Sequence, residues 1–389
     1  MKSSGEFKAE DARKRLKGSV KYSPNKITRY PFKPFDVRLA YLDSFIQPLF
    51  SRPAPELLAL QDISNNSYLL TRDTADKYPE GAPFYFSRLI CDYDCISGHT
   101  RHFPLFTKQT GAETRHSLAQ SNFLDATDSP NARLDANFSD TSRAYLASLG
   151  IPDPDANEET AGLVWMHALA IGYSPAYLIE NADGIRQDWP RIPLPASQEM
   201  LLASAALGRQ VAALLDTEHE VKGVTSGAIQ PELRTIGVIS REDGKGLNPE
   251  AGYLNVTAGW GHAGKEGATM PGKGKRVERD YIPNELNALG ATVEQLGVQT
   301  GDVYLNDVAY WRNIPERVWK YYIGGYQVIK KWLSYREYDH LGRGLTTDEA
   351  REVTNMARRL AAIVLLEPQL DANYQAVKDN SYAWPDQVR

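Results

Sequence analysis

Several short runs in this chain carry residue types at spacings that could do chemistry. Gly267-Ala-Thr-Met-Pro-Gly272-Lys273-Gly274 nearly spells a phosphate-binding loop. In such a loop backbone N–H groups cradle phosphates, the lysine reaches them, and a following Ser or Thr hydroxyl ligates magnesium. Here that last position is Gly274, and Lys275 to Pro283 is charged and proline-stopped rather than a buried helix. Nucleotide chemistry lacks its magnesium ligand; a mobile basic loop beside a nucleic-acid backbone, or a solvated loop, fits the composition. Cys91, Cys95, His99 and His102 offer the four N or S groups a tetrahedral zinc takes. The long spacer usual between ligand pairs is missing, so free thiols and surface histidines are expected. Asp153 with Glu220-Val-Lys222 imitates the acidic pair and Glu-x-Lys of a nuclease. Glu220 follows a helical pattern and Asp153 sits in a Pro-Asp loop, which denies that chemistry its adjacent strands. No Gly-x-Ser-x-Gly elbow occurs, so serine hydrolysis has no foothold.

The elements that would position such groups read as follows. Residues 1–29 are polar and basic, with Lys8, Arg13, Lys14, Arg15 and Lys17: a docking helix or a tail. Residues 30–158 form a first part, with strands at Tyr68-Leu-Leu and Phe84 to Ile90 and a polar loop over 117–140. Residues 159–389 form a second part. Its helices are expected at Gly162 to Ile171, Ala176 to Arg186, and Ser197 to about Glu218, the last capped by Ser197. Trp189 to Pro195 reads as a proline-stiffened connector. Strands follow at Thr235 to Ser240, Tyr253 to Thr257 and Val303 to Leu305, with a Gly-rich basic loop over 259–281. Thr346 and Glu349 make a capping box for a helix to about residue 366. The fold class is therefore α+β, with mixed strands carrying loops and helices supporting them.

Composition sets the outer limits. The chain has 389 residues, 42% hydrophobic and 24% charged, ordinary for a globular protein and enough for two or three packed units. No apolar run reaches membrane length and the N-terminus lacks a signal-peptide core. Two cysteines cannot build a disulfide framework, which fits the cytoplasm. A net charge of −5 argues against a nucleic-acid binder that relies on overall charge, since phosphate contacts supply most nonspecific affinity. A local concentration of Lys and Arg remains compatible with it.

Val318 to Arg336, VWKYYIGGYQVIKKWLSYR, is the most informative stretch. A Gly pair is costly within a helix and marks a turn or a close backbone contact. The segment resembles the "VWxYxIGGYQVLKKWLxYR" signature of the C-terminal specificity region of Type ISP restriction-modification enzymes. Tyr30-Pro-Phe-Lys-Pro-Phe-Asp36-Val-Arg38, with Tyr41, is similar to the family's entry motif. Thr100 to Phe106 is similar to its "STRxFPLY" step, and Tyr173 to Tyr177 with Trp189 to Pro195 to its "HSPxY…FPRIPLP" block.

The resemblance implies a target recognition domain: sequence-specific binding of double-stranded DNA for a partnered adenine methyltransferase, with helicase and nuclease domains on the same polypeptide or a separate subunit. Those other portions are not in these residues, so the chain is expected to be a natural fragment, a split-gene subunit or an excised piece, without catalysis of its own and weak on DNA alone. S-adenosylmethionine and ATP/Mg belong to the missing domains, because the Gly-rich cofactor turn and the Asn-Pro-Pro-Tyr tetrad that holds a flipped adenine are absent. Ser174-Pro-Ala-Tyr177 imitates the tetrad, yet its place matches a structural helix start in the family. No metal site is expected. The DNA-contact candidates are Arg101, Lys108 and Arg115 near the first block, and Arg241, Lys245, Lys265, Lys273, Lys275, Arg276 and Arg279 on the Gly-rich side. Trp319, Tyr321, Gly324, Gly325, Tyr326, Trp332, Pro190 and Pro193 look like fold determinants. The rival readings are an interaction module of a DNA-modification or phage-defence complex, and an unrecognised nuclease or methyltransferase.

Overall fold

The computed structural model describes residues 22–41, 66–108, 134–156, 158–264 and 269–384, with residues 14, 17 and 60. The expected loop over 117–140 and the basic N-terminal segment therefore lie largely outside the described residues. The fold is α+β, built from small antiparallel sheets and a helical layer.

The first strands form the hairpin β1 (Ile27–Lys33) and β2 (Asp36–Tyr41). A second sheet has the order β4-β3-β5, from β3 (Tyr68–Thr71), β4 (Tyr85–Ser87) and β5 (Arg101–Pro104). Strand β4 is shorter than Phe84 to Ile90, because the Ser87 hydroxyl accepts from the Leu89 amide and donates to its carbonyl, turning the chain. Two short strands, β6 (Phe106–Lys108) and β7 (Leu134–Ala136), pair with each other.

The helical layer follows. Ser139 caps α1 (Asp140–Ser148), accepting from the Ser142 amide. Helix α2 (Glu158–Gly172) is apolar on nearly all sides and is correspondingly buried. The expected helix at 176–186 is two, α3 (Pro175–Glu180) and α4 (Ala182–Gln187), separated at Asn181. Asn181 Nδ2 donates to the Tyr177 carbonyl at 2.9 Å and so satisfies the end of α3. Ser197 caps α5 (Gln198–Leu215) as expected, and α5 packs along α2. The proline connector between them is strapped down by side chains: Tyr145, Tyr177 and His167 donate to the carbonyls of Pro195, Arg191 and Pro193 at 2.9, 3.1 and 2.8 Å.

The main sheet has the order β11-β12-β13-β8, from β8 (Val238–Arg241), β11 (Arg276–Arg279), β12 (Thr300–Tyr304) and β13 (Ala309–Pro315). The basic segment at 259–281 is thus strand-rich rather than one loop: β9 (Gly261–Ala263) pairs with β10 (Thr269–Pro271) before β11 begins. Tyr253 to Thr257 is not a strand. Leu254 and Val256 are buried singly, Val256 through one bridge to Glu337 and Thr257 by donating to the Leu305 carbonyl. Between β11 and β12 lies α6 (Pro283–Leu289).

The signature opens with a helical turn over Glu316–Trp319, then β14 (Tyr322–Ile323) and β15 (Tyr326–Gln327) around the Gly pair, then α7 (Val328–Ser334). The last helix, α8 (Thr347–Asp379), starts with both halves of the Thr346–Glu349 capping box. It runs past residue 366 and through Pro368 because its far end has work beyond propensity. Leu370, Tyr374 and Val377 are buried there, and Asp371 accepts from Ser174 Oγ at 2.6 Å and the Ala176 amide at 2.9 Å. One apolar core takes residues from Phe35 to Leu370 and so from both sequence parts.

Candidate nucleic-acid interface

Arg241 ends β8, opposite Ala309 of β13, and Lys275 enters β11, its carbonyl accepting from the Tyr304 amide at 3.0 Å. One end of the main sheet therefore collects Arg241, Lys245 and Lys275 with the aromatics that hold them. The Arg241 guanidinium lies 4.2 Å from the Tyr253 ring, and Lys275 Nζ lies 4.2 Å from the Tyr304 ring, itself stacked on Tyr310. Burial and the Glu242 carboxylate, which accepts from the Tyr304 hydroxyl at 2.5 Å, keep that phenol protonated. Asp243 neutralises Arg241 at 2.9 Å and reaches Lys245 at 3.8 Å, and Asp307 stands 3.5 Å from Lys275. The Lys245 and Lys275 pairs are exposed, and such pairs are worth about 0–1 kcal/mol, so a phosphate can replace their carboxylate at small cost; the Arg241 side chain is more covered. The sheet supplies a rigid edge with exchangeable cations.

The other candidates are placed differently. Lys273 is exposed just before β11. Arg101 lies on β5, in another sheet, 3.9 Å from Asp73. Arg276 is mostly covered, against Gly301 and near Trp319, and pairs with Glu278 at 2.6 Å. Arg279 is a crosslink, gripping Glu285 at 2.7 Å and Asp302 at 2.8 Å. Lys108 contributes only its backbone to the description, and Arg115 and Lys265 lie outside the described residues.

The near phosphate loop is not one geometrically. Gly272 N–H donates to the Trp260 carbonyl, and a Cβ at Gly274 would come within 2.0 Å of the Trp260 ring. The segment is a strand pressed on an indole, with no helix N-terminus behind it. Ser174 is a helix cap, its Oγ accepting from the Tyr177 amide at 3.2 Å. Cys91 and Cys95 are buried free thiols. His102 Nε2 accepts from the Cys91 amide at 3.1 Å, while His99 stacks on Tyr93 at the surface. Among the described residues no three His, Cys, Asp or Glu side chains are arranged to hold a metal ion, and no helix is long and apolar enough to cross a membrane.

The entry motif and the signature meet in one seam. Asp36 is fully buried and accepts from Arg336 at 2.6 Å and from Arg38 at 2.7 Å. Burial alone would push this carboxyl up; the two guanidiniums outweigh it and hold it below its ordinary value. Phe32 packs edge-on against Tyr335, Arg38 lies over both rings, and Arg336 lies over Trp332. Gly324 and Gly325 have φ of +53° and +78°, conformations L side chains rarely adopt. Their amides donate to the carbonyls of Ala82 and Glu80 at 2.8 and 2.7 Å, and Gly324 accepts from the Ser97 amide at 3.0 Å. A Cβ at Gly324 would lie 2.4 Å from Ile96. The Gly pair is thus both a turn and a close contact to two loops. Under it, Arg72 and Glu80 form a buried ion pair.

The same seam carries cations that the sequence reading did not select. Lys77 Nζ lies 4.1 Å from the centre of the Tyr326 ring, Lys33 Nζ 5.3 Å and Lys331 Nζ 5.4 Å. The Lys-Lys-Trp step and the lysine inside the Tyr30 motif were the available signals, but both sit in stretches that read as packing.

This topology recurs in larger proteins. At 12% identity and a TM-score of 0.52, the chain is similar over 93% of its length to 19% of the ATP-dependent Type ISP restriction-modification enzyme LlaBIII, solved bound to DNA. At 18% identity and a TM-score of 0.51, 98% of it is similar to 30% of DrdV, solved by cryo-EM in a DNA complex. The likeness is one of fold, and the chain spans less than a third of each of those proteins. No curated protein matches the sequence. The motifs joined at the seam are accounted for by a match that does cover nearly the whole chain: residues 2–363 fit the Type ISP C-terminal specificity domain, and the chain belongs to that family.

Proposed function

We propose that this chain reads a specific sequence in double-stranded DNA on behalf of a restriction-modification enzyme. It would hold an adenine methyltransferase on its target, with helicase and nuclease domains acting from the same polypeptide or a partner subunit. Membership of the specificity-domain family is the observation that carries the reading. The main-sheet edge gives it chemistry: Arg241 and Lys275 are held by tyrosines and, among the described residues, paired with Asp243 and Asp307. A guanidinium so held can address the O6 and N7 edge of guanine. The chain itself would do no chemistry. S-adenosylmethionine and ATP/Mg would bind the other domains, and the cytoplasm is where such a system meets DNA.

The test is selection from a pool of random duplexes at low salt, followed by sequencing of the retained fraction. Recovery of one short motif supports recognition; retention without any motif, alone and beside the methyltransferase, sinks it. Arg241→Ala should relax preference at one position of the motif at a cost of about 1–3 kcal/mol.

A further inference from the structure

The lysines around Tyr326 form a charge arrangement that the fold does not complete. Lys33 comes from β1, Lys77 from the loop before β4 and Lys331 from α7. Lys33 Nζ donates to the Asp94 carbonyl at 2.6 Å and stands 3.6 Å from Asp92. Lys331 Nζ faces the Tyr335 ring at 4.6 Å, and Arg38 lies over that same ring at 4.7 Å. The buried carboxylate of Asp36, which acts on Lys331, already serves Arg38 and Arg336. Among the described residues neither Lys77 nor Lys331 has a carboxylate at ion-pair distance; their close contacts are tyrosine faces. Asp76 and Asp94 act on Lys77 only from farther away.

Ammonium groups repel one another, and burial adds to the cost of keeping them charged. Burial first, then Lys33 and Lys77, push Lys331 down to about 8. Burial and Lys33 lower Lys77 in the same sense. Structural lysines are ordinarily relieved by a carboxylate, as Lys33 is by Asp92; Lys77 and Lys331 are held instead by ring faces, with donors left unused among the described residues. Aromatic faces interleaved with cations suit an anion with several acceptor oxygens, since the rings orient the ammonium groups without neutralising them.

Resting on the recognition reading above, we infer that Lys77 and Lys331, with the buried Lys33 adding positive potential behind them, form a phosphate-binding site that takes a backbone phosphodiester of the bound duplex. The site would supply affinity without sequence preference, separately from the sheet edge carrying Arg241 and Lys275. A phosphate in this position relieves the repulsion within the cluster and fixes the register of the duplex on the domain.

The experiment uses the full chain, the random duplex pool and a salt series, comparing the parent with Lys77→Gln and with Lys77→Gln/Lys331→Gln. Lys77 is solvent-accessible although its ammonium rests against Tyr326, and thermal unfolding checks both variants. The slope of log K against log salt should fall by about 1 per lysine, with the enriched motif unchanged. Lys331→Arg should keep the parent slope. Unchanged slopes in folded variants, with the parent still binding, overturn the site and leave the recognition reading standing. If the parent binds no duplex, alone or beside the methyltransferase, that reading fails by itself. Pyrophosphate titration, followed by NMR of the Lys331 amine, then decides the site: a shift assigns it to free phosphate, and no shift overturns it.

Discussion

Asp36→Ala would remove the carboxylate that Arg38 and Arg336 share. Asp36 is fully buried and Arg336 is 6% exposed, so the variant strands a guanidinium out of water. Breaking a buried pair by removing one partner costs about 3–5 kcal/mol. Arg38 is partly exposed and keeps its stacking on Phe32 and Tyr335, so it adds little. A loss of ~4 kcal/mol is expected, a large part of the roughly 5–15 kcal/mol by which domains are stable. Arg336→Met should cost less, ~2 kcal/mol, because Asp36 keeps a charged donor in Arg38. The double variant should then cost about 1–3 kcal/mol less than the sum, since each single change already ends the same interaction. Urea denaturation at pH 7, followed by tryptophan fluorescence, measures all three. Asp36 is ionised there, its carboxyl being held below the ordinary value by the arginines, so titration does not confuse the comparison. Additive losses, within ~0.5 kcal/mol, would refute the claim that one ion network joins the two motifs.

Other outcomes follow from the same geometry. Gly324→Ala must place a Cβ 2.4 Å from Ile96 at a φ of +53°, and should cost at least about 2 kcal/mol; an unchanged melting temperature would count against the docked hairpin. His167 is buried between Pro193 and Ser204, and burial pushes it down to about 4 although the Pro193 carbonyl pulls it up. Its folded value lies below the ordinary one, so its contribution is complete above about pH 6.5 and is lost as pH falls towards 4, by about 3 kcal/mol in all. Acid denaturation of His167→Gln should show a shallower slope over that window. Arg279→Ala leaves Asp302 without its arginine and Glu285 with only Arg312 at 3.8 Å, and should cost about 3 kcal/mol, while Lys275→Ala stays within about 0.5 kcal/mol. The reverse order in a melting experiment would overturn the division between structural and available cations.

Local signals in the chain were reliable where chemistry acts over a few residues. Ser197, Thr346 with Glu349, and the aromatic and branched residues at Tyr68 placed their elements, because caps and short strands depend on neighbours in sequence. Helix α8 outran its pattern because Asp371 and Tyr374 answer to α3 and Glu180, a reason invisible within the helix. Tyr253 to Thr257 has strand residues but finds no strand to pair with. For the interface the limit is sharper. Arg241, Lys275, Arg276 and Arg279 look alike in sequence, and only the fold shows that Glu285 and Asp302 claim Arg279 while Tyr304 holds Lys275 outward. Lys77 carried no signal, since its partner ring lies in a motif far along the chain.

The bond between Asp36 and Arg336 spans 300 positions. Any crossover between residues 41 and 318 would bring one parent's Phe32, Asp36 and Arg38 against another parent's Trp332, Tyr335 and Arg336. The seam therefore acts as a compatibility lock on recombination. Exchange of the main-sheet edge within a shared seam leaves the lock closed, so on the proposed reading that edge could be grafted without disturbing the scaffold. Chimeras whose seam halves do not fit lose the scaffold before any question of specificity arises.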